Sequence, residues 1–127
     1  MPKMLRVKAD QKVIADQVVY ADTYQLRRQG VLGKEKLETN EGVLLLSSTK
    51  TCLSLFHSIH MFGVPFDLAV AWLNKDRKIL HLKLAKPGWI YFPPGLLTET
   101  TYILELHPEH YKLLQETTEL YWEENGQ

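Results

Sequence analysis

Several absences narrow the field first. One cysteine, Cys52, stands in 127 residues, so an internal disulfide and a thiolate zinc set are both excluded. Flanked by Leu53 and Leu55, it reads as a small buried thiol, because a reactive thiolate needs a cation or a helix N-terminus beside it. No stretch approaches the roughly 20 apolar residues that cross a bilayer. The opening MPKMLRVKADQK has no apolar run ahead of a small-residue cleavage site, so no signal peptide is expected and a cytoplasmic location is the default. An excess of charge of one sign is missing too, with 15 basic residues against 15 acidic ones. Nucleic-acid binding draws most of its affinity from neutralised phosphates, so no nucleic-acid partner is expected; Arg27, Arg28, Lys34 and Lys36 read as a solvated face. Gly30-Val31-Leu32-Gly33 lacks both the Walker lysine and a preceding strand, which argues against nucleotide hydrolysis.

What is present is the composition of one domain, 45% hydrophobic and 24% charged, long enough for a single core without staples. Strand signals dominate. Met4 to Lys8 alternates and turns through Ala9-Asp10-Gln11-Lys12 into Val13 to Tyr20. Val43 to Leu46 is a continuous apolar run suited to burial on both faces. FDLAVAWL-NKDR-KILHLKL reads as a long antiparallel hairpin, with Leu80, Leu82 and Leu84 inward and His81 and Lys83 outward. Tyr102, Leu104 and Leu106 repeat that alternation, which sends Glu105 and His107 to solvent. Asp22 or Thr23 can cap a helix through about Gln29, ended by Gly30, with Leu26 inside and Val31 and Leu32 packing beyond. A second helix starts at Pro108, with Glu109 in its first turn and Tyr111 and Leu114 on one face. The expectation is a mainly β single domain, a barrel or sandwich of antiparallel strands with one or two short helices, and a frayed tail over residues 123–127.

The segments ADTYQLRRQGVLG, GVLLL, FHSIHMFGVPFDLAVAWLNKDRKIL and YILEL, in that order, resemble the DUF192 family, a domain of unknown function, over Tyr20 to Trp122. The resemblance implies a compact β-rich barrel or sandwich and no established activity or cofactor. The chain departs from the family pattern in three places. His107-Pro108-Glu109 replaces the usual Ala-Gly after the Leu-Glu-Leu strand, Thr118-Glu119 stands where a Gly-Asp pair is usual, and Met61 directly follows His60.

Among candidate site residues Asp67 carries the most information, since an acid at the opening of an apolar strand is costly unless paired or hydrogen-bonded. It reads either as a ligand-binding or basic carboxylate, or as a structural acid bonded to the Gly63-Val64-Pro65 turn or to Arg28. The structural reading is preferred and implies marked destabilisation by Asp67→Ala. His57 and His60, like His107 and His110, are three apart. On a strand that spacing points the rings to opposite faces, and no acid stands at a metalloenzyme spacing, so no metal is expected. Ser47, Ser48 and Ser58 lie outside any nucleophile elbow. The long connection from Lys86 to Glu99 holds Trp89, Tyr91 and Phe92 among prolines; it reads either as a binding loop or, slightly preferred, as rings closing one end of the core.

The leading functional reading is a small non-catalytic binding or accessory domain, for an unidentified small molecule or protein. Its expected rim is Arg28, His60, Met61 and Asp67, with Trp89 and Tyr91 overhanging. No cofactor is called for. The alternatives are an enzyme using Asp67 and His60 as acid and base, and a homo-oligomeric module joined through a strand edge.

Overall fold

In the computed structural model, Asp10 and Gln11 both take positive φ, 50° and 69°, the geometry of a two-residue hairpin loop whose twist matches its strands. That turn joins β1 (Met4–Ala9) to β2 (Lys12–Ala21). The structure describes residues 2–47 and 51–125; Ser48 and the Gly126-Gln127 end of the tail lie outside them. After β2 come α1 (Tyr24–Gln29), β3 (Glu41–Leu46), β4 (Ile59–His60), β5 (Leu68–Leu73), β6 (Ile79–Ala85), β7 (Ile90–Tyr91), β8 (Tyr102–Leu106), α2 (Tyr111–Gln115) and β9 (Tyr121–Glu124).

The domain is mainly β. Seven strands form one sheet in the order β6-β5-β8-β3-β2-β1-β9, and β4 and β7 form a separate two-stranded ribbon. One pairing departs from the all-antiparallel expectation: β2 and β3 run parallel. The cause lies in residues 22–40 between them. The helix they contain carries the chain across a face of the sheet, as parallel neighbours require and as a hairpin turn cannot do. Thr23 caps α1 by accepting from the Leu26 amide at 3.2 Å, and Gly30 ends it at φ +48°.

The sheet curls without closing into a barrel. Its outer strands β6 and β9 meet only at one corner, where Ile79 N donates to Thr118 O (2.9 Å) and Leu120 N to Arg77 O (3.0 Å). Arg77 fastens that corner, stacking 4.2 Å over the Trp122 ring and donating to the Trp122 carbonyl. The C-terminal segment is therefore not frayed through Asn125. Glu123 and Glu124 pair in register with β1, Lys8 Nζ lies 2.9 Å from Glu123, and Asn125 N donates to Met4 O.

Two cores share the middle of the sheet. The first gathers Leu5, Val7, Val18, Leu44, Ala71, Leu73, Leu104 and Leu106 with Leu114 of α2 and Trp122. The second gathers Val43, Val70, Trp72, Ile103 and Leu68 with Val31, Ile59, Met61 and Val64 from the crossover and the segment before β5. Strands β3, β5 and β8 thus bury both faces, which is why LAVAWL has no solvent-facing position. Trp72 is sealed in the second core and its indole N–H donates to the His57 carbonyl at 2.7 Å.

Two alternation readings need correction. In β6, Trp72 pairs with His81 but Leu73 pairs with Ile79, so Leu80 is an extra, bulged residue. It is turned out, 43% exposed, while His81 packs on the Trp72 ring. In β8, Glu105 is not outward; it is 6% exposed, set between Val43 and Val70 in the second core. Cys52 is exposed rather than buried, because the loop around it lies on the surface.

Candidate functional site

The second core is incomplete at one end. Between α1, the end of β3, β8 and the Ser54 to Val64 segment lies a cavity of about 370 Å³, at the small end of ligand pockets. Its walls are apolar where Val31, Leu45, Met61, Val64, Leu68 and Ile103 contribute, and polar at three points.

The first is Glu105, supplied by the central strand β8. Its Oε1 is one of two buried side-chain polar atoms without a hydrogen-bond partner among the described residues, the other being Ser54 Oγ. Burial among valines and isoleucine pushes its carboxyl up to about 7, with desolvation the sole cause. Gly30, at the end of α1, lies against it; a Cβ there would stand 3.5 Å from Oε1.

The second is a serine–histidine pair. Ser47 Oγ lies 2.8 Å from His57 Nδ1, and His57 Nε2 lies 2.8 Å from the Thr51 carbonyl. A carbonyl only accepts, so Nε2 carries the proton, Nδ1 accepts from Ser47, and the ring is held in one tautomer. Both ring nitrogens are engaged in joining the end of β3 to the segment beneath it.

The third is the mouth. Arg27 and Arg28, in the last turn of α1, line the cavity, and neither forms an ion pair or side-chain hydrogen bond among the described residues. Lys34 and Lys36, grouped with them in the sequence, instead pair with Glu41 and Glu38.

The expected rim is therefore divided. Arg28, His60 and Met61 line the one cavity. Met61 is fully buried, whereas His60 is exposed and stacks on Phe62, whose amide donates to Nδ1. Asp67 does not line it and bonds neither the Gly63 turn nor Arg28; Lys86 Nζ reaches it at 2.8 Å. The acid and base of the enzymatic alternative thus do not share the cavity. Since both members of the Lys86 pair are partly solvated, the expected cost of Asp67→Ala is below about 1 kcal/mol, against the marked loss inferred from sequence. Urea unfolding checks this, and a loss of several kcal/mol would show that Asp67 has a larger role.

The aromatic loop meets the Met61 segment through backbone hydrogen bonds. Met61 N donates to Trp89 O, and Gly88 N to Met61 O. Tyr91 packs on the second core and its hydroxyl accepts from Lys86 N. The Trp89 ring is 66% exposed and Phe92 is exposed as well, so these rings do not close the core. The remaining histidine pair is engaged elsewhere, His107 Nδ1 accepting from Glu109 N within its own turn and His110 Nε2 reaching Thr39 O on the crossover before β3.

Glu105 is the residue that alternation missed. A signal was present: if GVLLL and LAVAWL bury both faces, a third strand of the same apolar character, YILEL, belongs beside them, and its one acid is then interior. Two other surface cavities, beside Trp122 and beside Leu80, are no smaller but contain no buried unpaired acid.

Residues 5–116 match the family model DUF192, described as "Uncharacterized ACR". A "UPF0127 protein" from Thermococcus sibiricus is 32% identical over 92 residues, 72% of this chain; the match spans 57% of that relative's length. The fold is similar to that of a protein of unknown function from Novosphingobium aromaticivorans, with a TM-score of 0.71 at 16% identity over 94% of this chain and 82% of that one. A crystal structure from Sinorhizobium meliloti is similar at a TM-score of 0.72 and 17% identity, over 100% of this chain and 96% of that one.

Proposed function

This chain belongs to the DUF192 family, whose description assigns no activity, and from the geometry of the cavity we propose that it is a small-molecule binding domain with Glu105 as its anchor. The observation that carries this reading is the Glu105 carboxyl, 6% exposed, lining a cavity with no partner for Oε1. Buried polar groups are almost always hydrogen-bonded, and a site that leaves one unmatched loses stability unless something else fills it. A ligand donor supplies the missing partner. The apolar wall gives such a ligand surface to bury, and the opening beside α1 gives it a way in. Arg28, His60 and Met61 belong to this site; Asp67, Trp89 and Tyr91 lie outside its lining.

Methyl-labelled protein titrated with mixtures of small polar fragments tests the reading by NMR. Ligands are expected to shift the methyl signals of Val31, Met61 and Ile103 together. Hits that move only Ile90, Leu96 and Leu97, on the exposed aromatic loop, would overturn it, as would a complete absence of hits.

A further inference from the structure

We infer that the cavity takes a compact zwitterion, a primary amine joined by a short chain to a carboxylate or similar anion, with the ammonium at Glu105 and the anion at Arg27 and Arg28. This rests on the binding reading above and specifies its ligand class. The two ends of the cavity carry opposite chemistry. At the floor, Glu105 offers acceptor capacity that no described residue uses. At the mouth, two guanidinium groups from one helical turn are unpaired among the described residues. A planar guanidinium fork is matched to carboxylate and phosphate oxygens, and an ammonium is matched to a buried carboxylate, where charge-assisted bonds are strongest.

The two ends act separately. Glu105 is buried on the central strand β8, whereas the arginines belong to the last turn of α1 at the opening, on the other side of the cavity's apolar wall. A ligand that engages both must therefore carry its charges at a distance from each other, which favours an ω-amino acid over an α-amino acid. A simple cation would meet Arg27 and Arg28 on its way in and be repelled. A simple anion would leave Glu105 unmatched. The titratable and charged groups that line the cavity with Glu105 are Arg27, Arg28 and Tyr24 on α1, and His57 and His60 on the segment before β5. His57 is committed to Ser47 and Thr51, and His60 is turned to Phe62. None of them supplies Glu105 with the missing donor. Opposite charges at the two ends also fix the ligand's direction, which an apolar cavity of this kind would not do alone.

Calorimetric titration of the full chain at neutral pH tests the inference. The probes are β-alanine, γ-aminobutyrate and ε-aminocaproate, with butyrate and butylamine as single-ended controls. At least one ω-amino acid is expected to bind roughly tenfold or more tightly than both controls. Glu105→Gln is expected to weaken it by about tenfold, and the double replacement of Arg27 and Arg28 by alanine to do the same, since each removes one charge-assisted contact. The arginine variant alters surface groups and leaves the core intact, so it remains informative whatever Glu105→Gln does to folding. Equal affinity for butyrate or butylamine, insensitivity to either variant, or no binding of any ω-amino acid at millimolar concentration would overturn it. If these probes fail while fragments still shift Val31, Met61 and Ile103, the ligand class is wrong and the binding reading stands; if both experiments fail, both are lost.

Discussion

Glu105→Gln is expected to stabilise the protein at pH 8 by about 2–3 kcal/mol while leaving it little changed near pH 5. The sign follows from proton binding. Unfolded, the carboxyl titrates near 4.5; folded, burial holds it at about 7. Between those values the native state keeps a proton that the unfolded state has lost, so stability falls as pH rises, by about 1.4 kcal/mol per unit. Below the unfolded value both states are protonated and the penalty vanishes. Above the folded value both are ionised and the penalty is constant at its maximum. Glutamine has the shape of the protonated acid without the titration, so the difference between the two proteins isolates this one group from every other. Its amide is as unpaired as the acid it replaces, which trims the gain by a fraction of the usual cost of a buried polar group. Urea unfolding of both proteins from about pH 5 to about pH 8 is the measurement. Curves that diverge with rising pH are the expected result, and parallel curves would mean that Glu105 is solvated. A residue that lowers stability at neutral pH, with no structural bond to show for it, fits a functional position.

Gly42→Ala is expected to cost at least about 3 kcal/mol, more than ordinary overpacking, because the obstruction is backbone. Gly42 pairs with Leu106 across β3 and β8. A Cβ there would stand 2.5 Å from the Glu105 carbonyl oxygen and 2.6 Å from Leu106 Cδ2. The side chain could rotate away, but the oxygen belongs to the ladder, so two central strands must separate. Glu105 sits on the displaced strand, and the cavity floor would shift with it. Gly95→Ala is the control: nothing lies within 4 Å of its Cβ, and only its φ of +80° opposes substitution, a cost of about 1 kcal/mol. Urea unfolding of the pair is decisive, and a Gly42 variant no worse than the Gly95 variant would contradict the close approach of β3 and β8.

Much of this architecture was legible in local patterns. The Asp10-Gln11 turn, the Thr23 cap, the Gly30 stop and the β5–β6 hairpin each rest on residues close in sequence, and short-range chemistry is what sequence patterns report best. The family likeness was legible as well, through the apolar Gly-start strand, the His57 to Leu80 block and YILEL. The layering was not. Alternation assumes one wet face, and that assumption sent Glu105 to solvent when the crossover and the segment before β5 in fact cover the outer face of the central strands. The bulge at Leu80 is a register shift, and it turned Leu80 outward and set His81 on Trp72, while Leu82, Lys83 and Leu84 keep the expected alternation. Asp67 drew attention as an acid beside an apolar strand, but its partner Lys86 is distant in sequence. Of the two acids among apolar neighbours, the one at a strand's edge found a lysine and the one at the centre found nothing. The site then follows the unmatched acid. Arg28, from ADTYQLRRQGVLG, and His60 and Met61, from the block that opens at His57, all line that cavity.

The most direct test is the titration of the Glu105 side-chain carboxyl itself, followed by carbon NMR and assigned by its disappearance in Glu105→Gln. The predicted midpoint lies near 7 in the free protein, moving downward when ε-aminocaproate fills the cavity. A midpoint at the ordinary value near 4.5, unmoved by any ligand, would contradict the account.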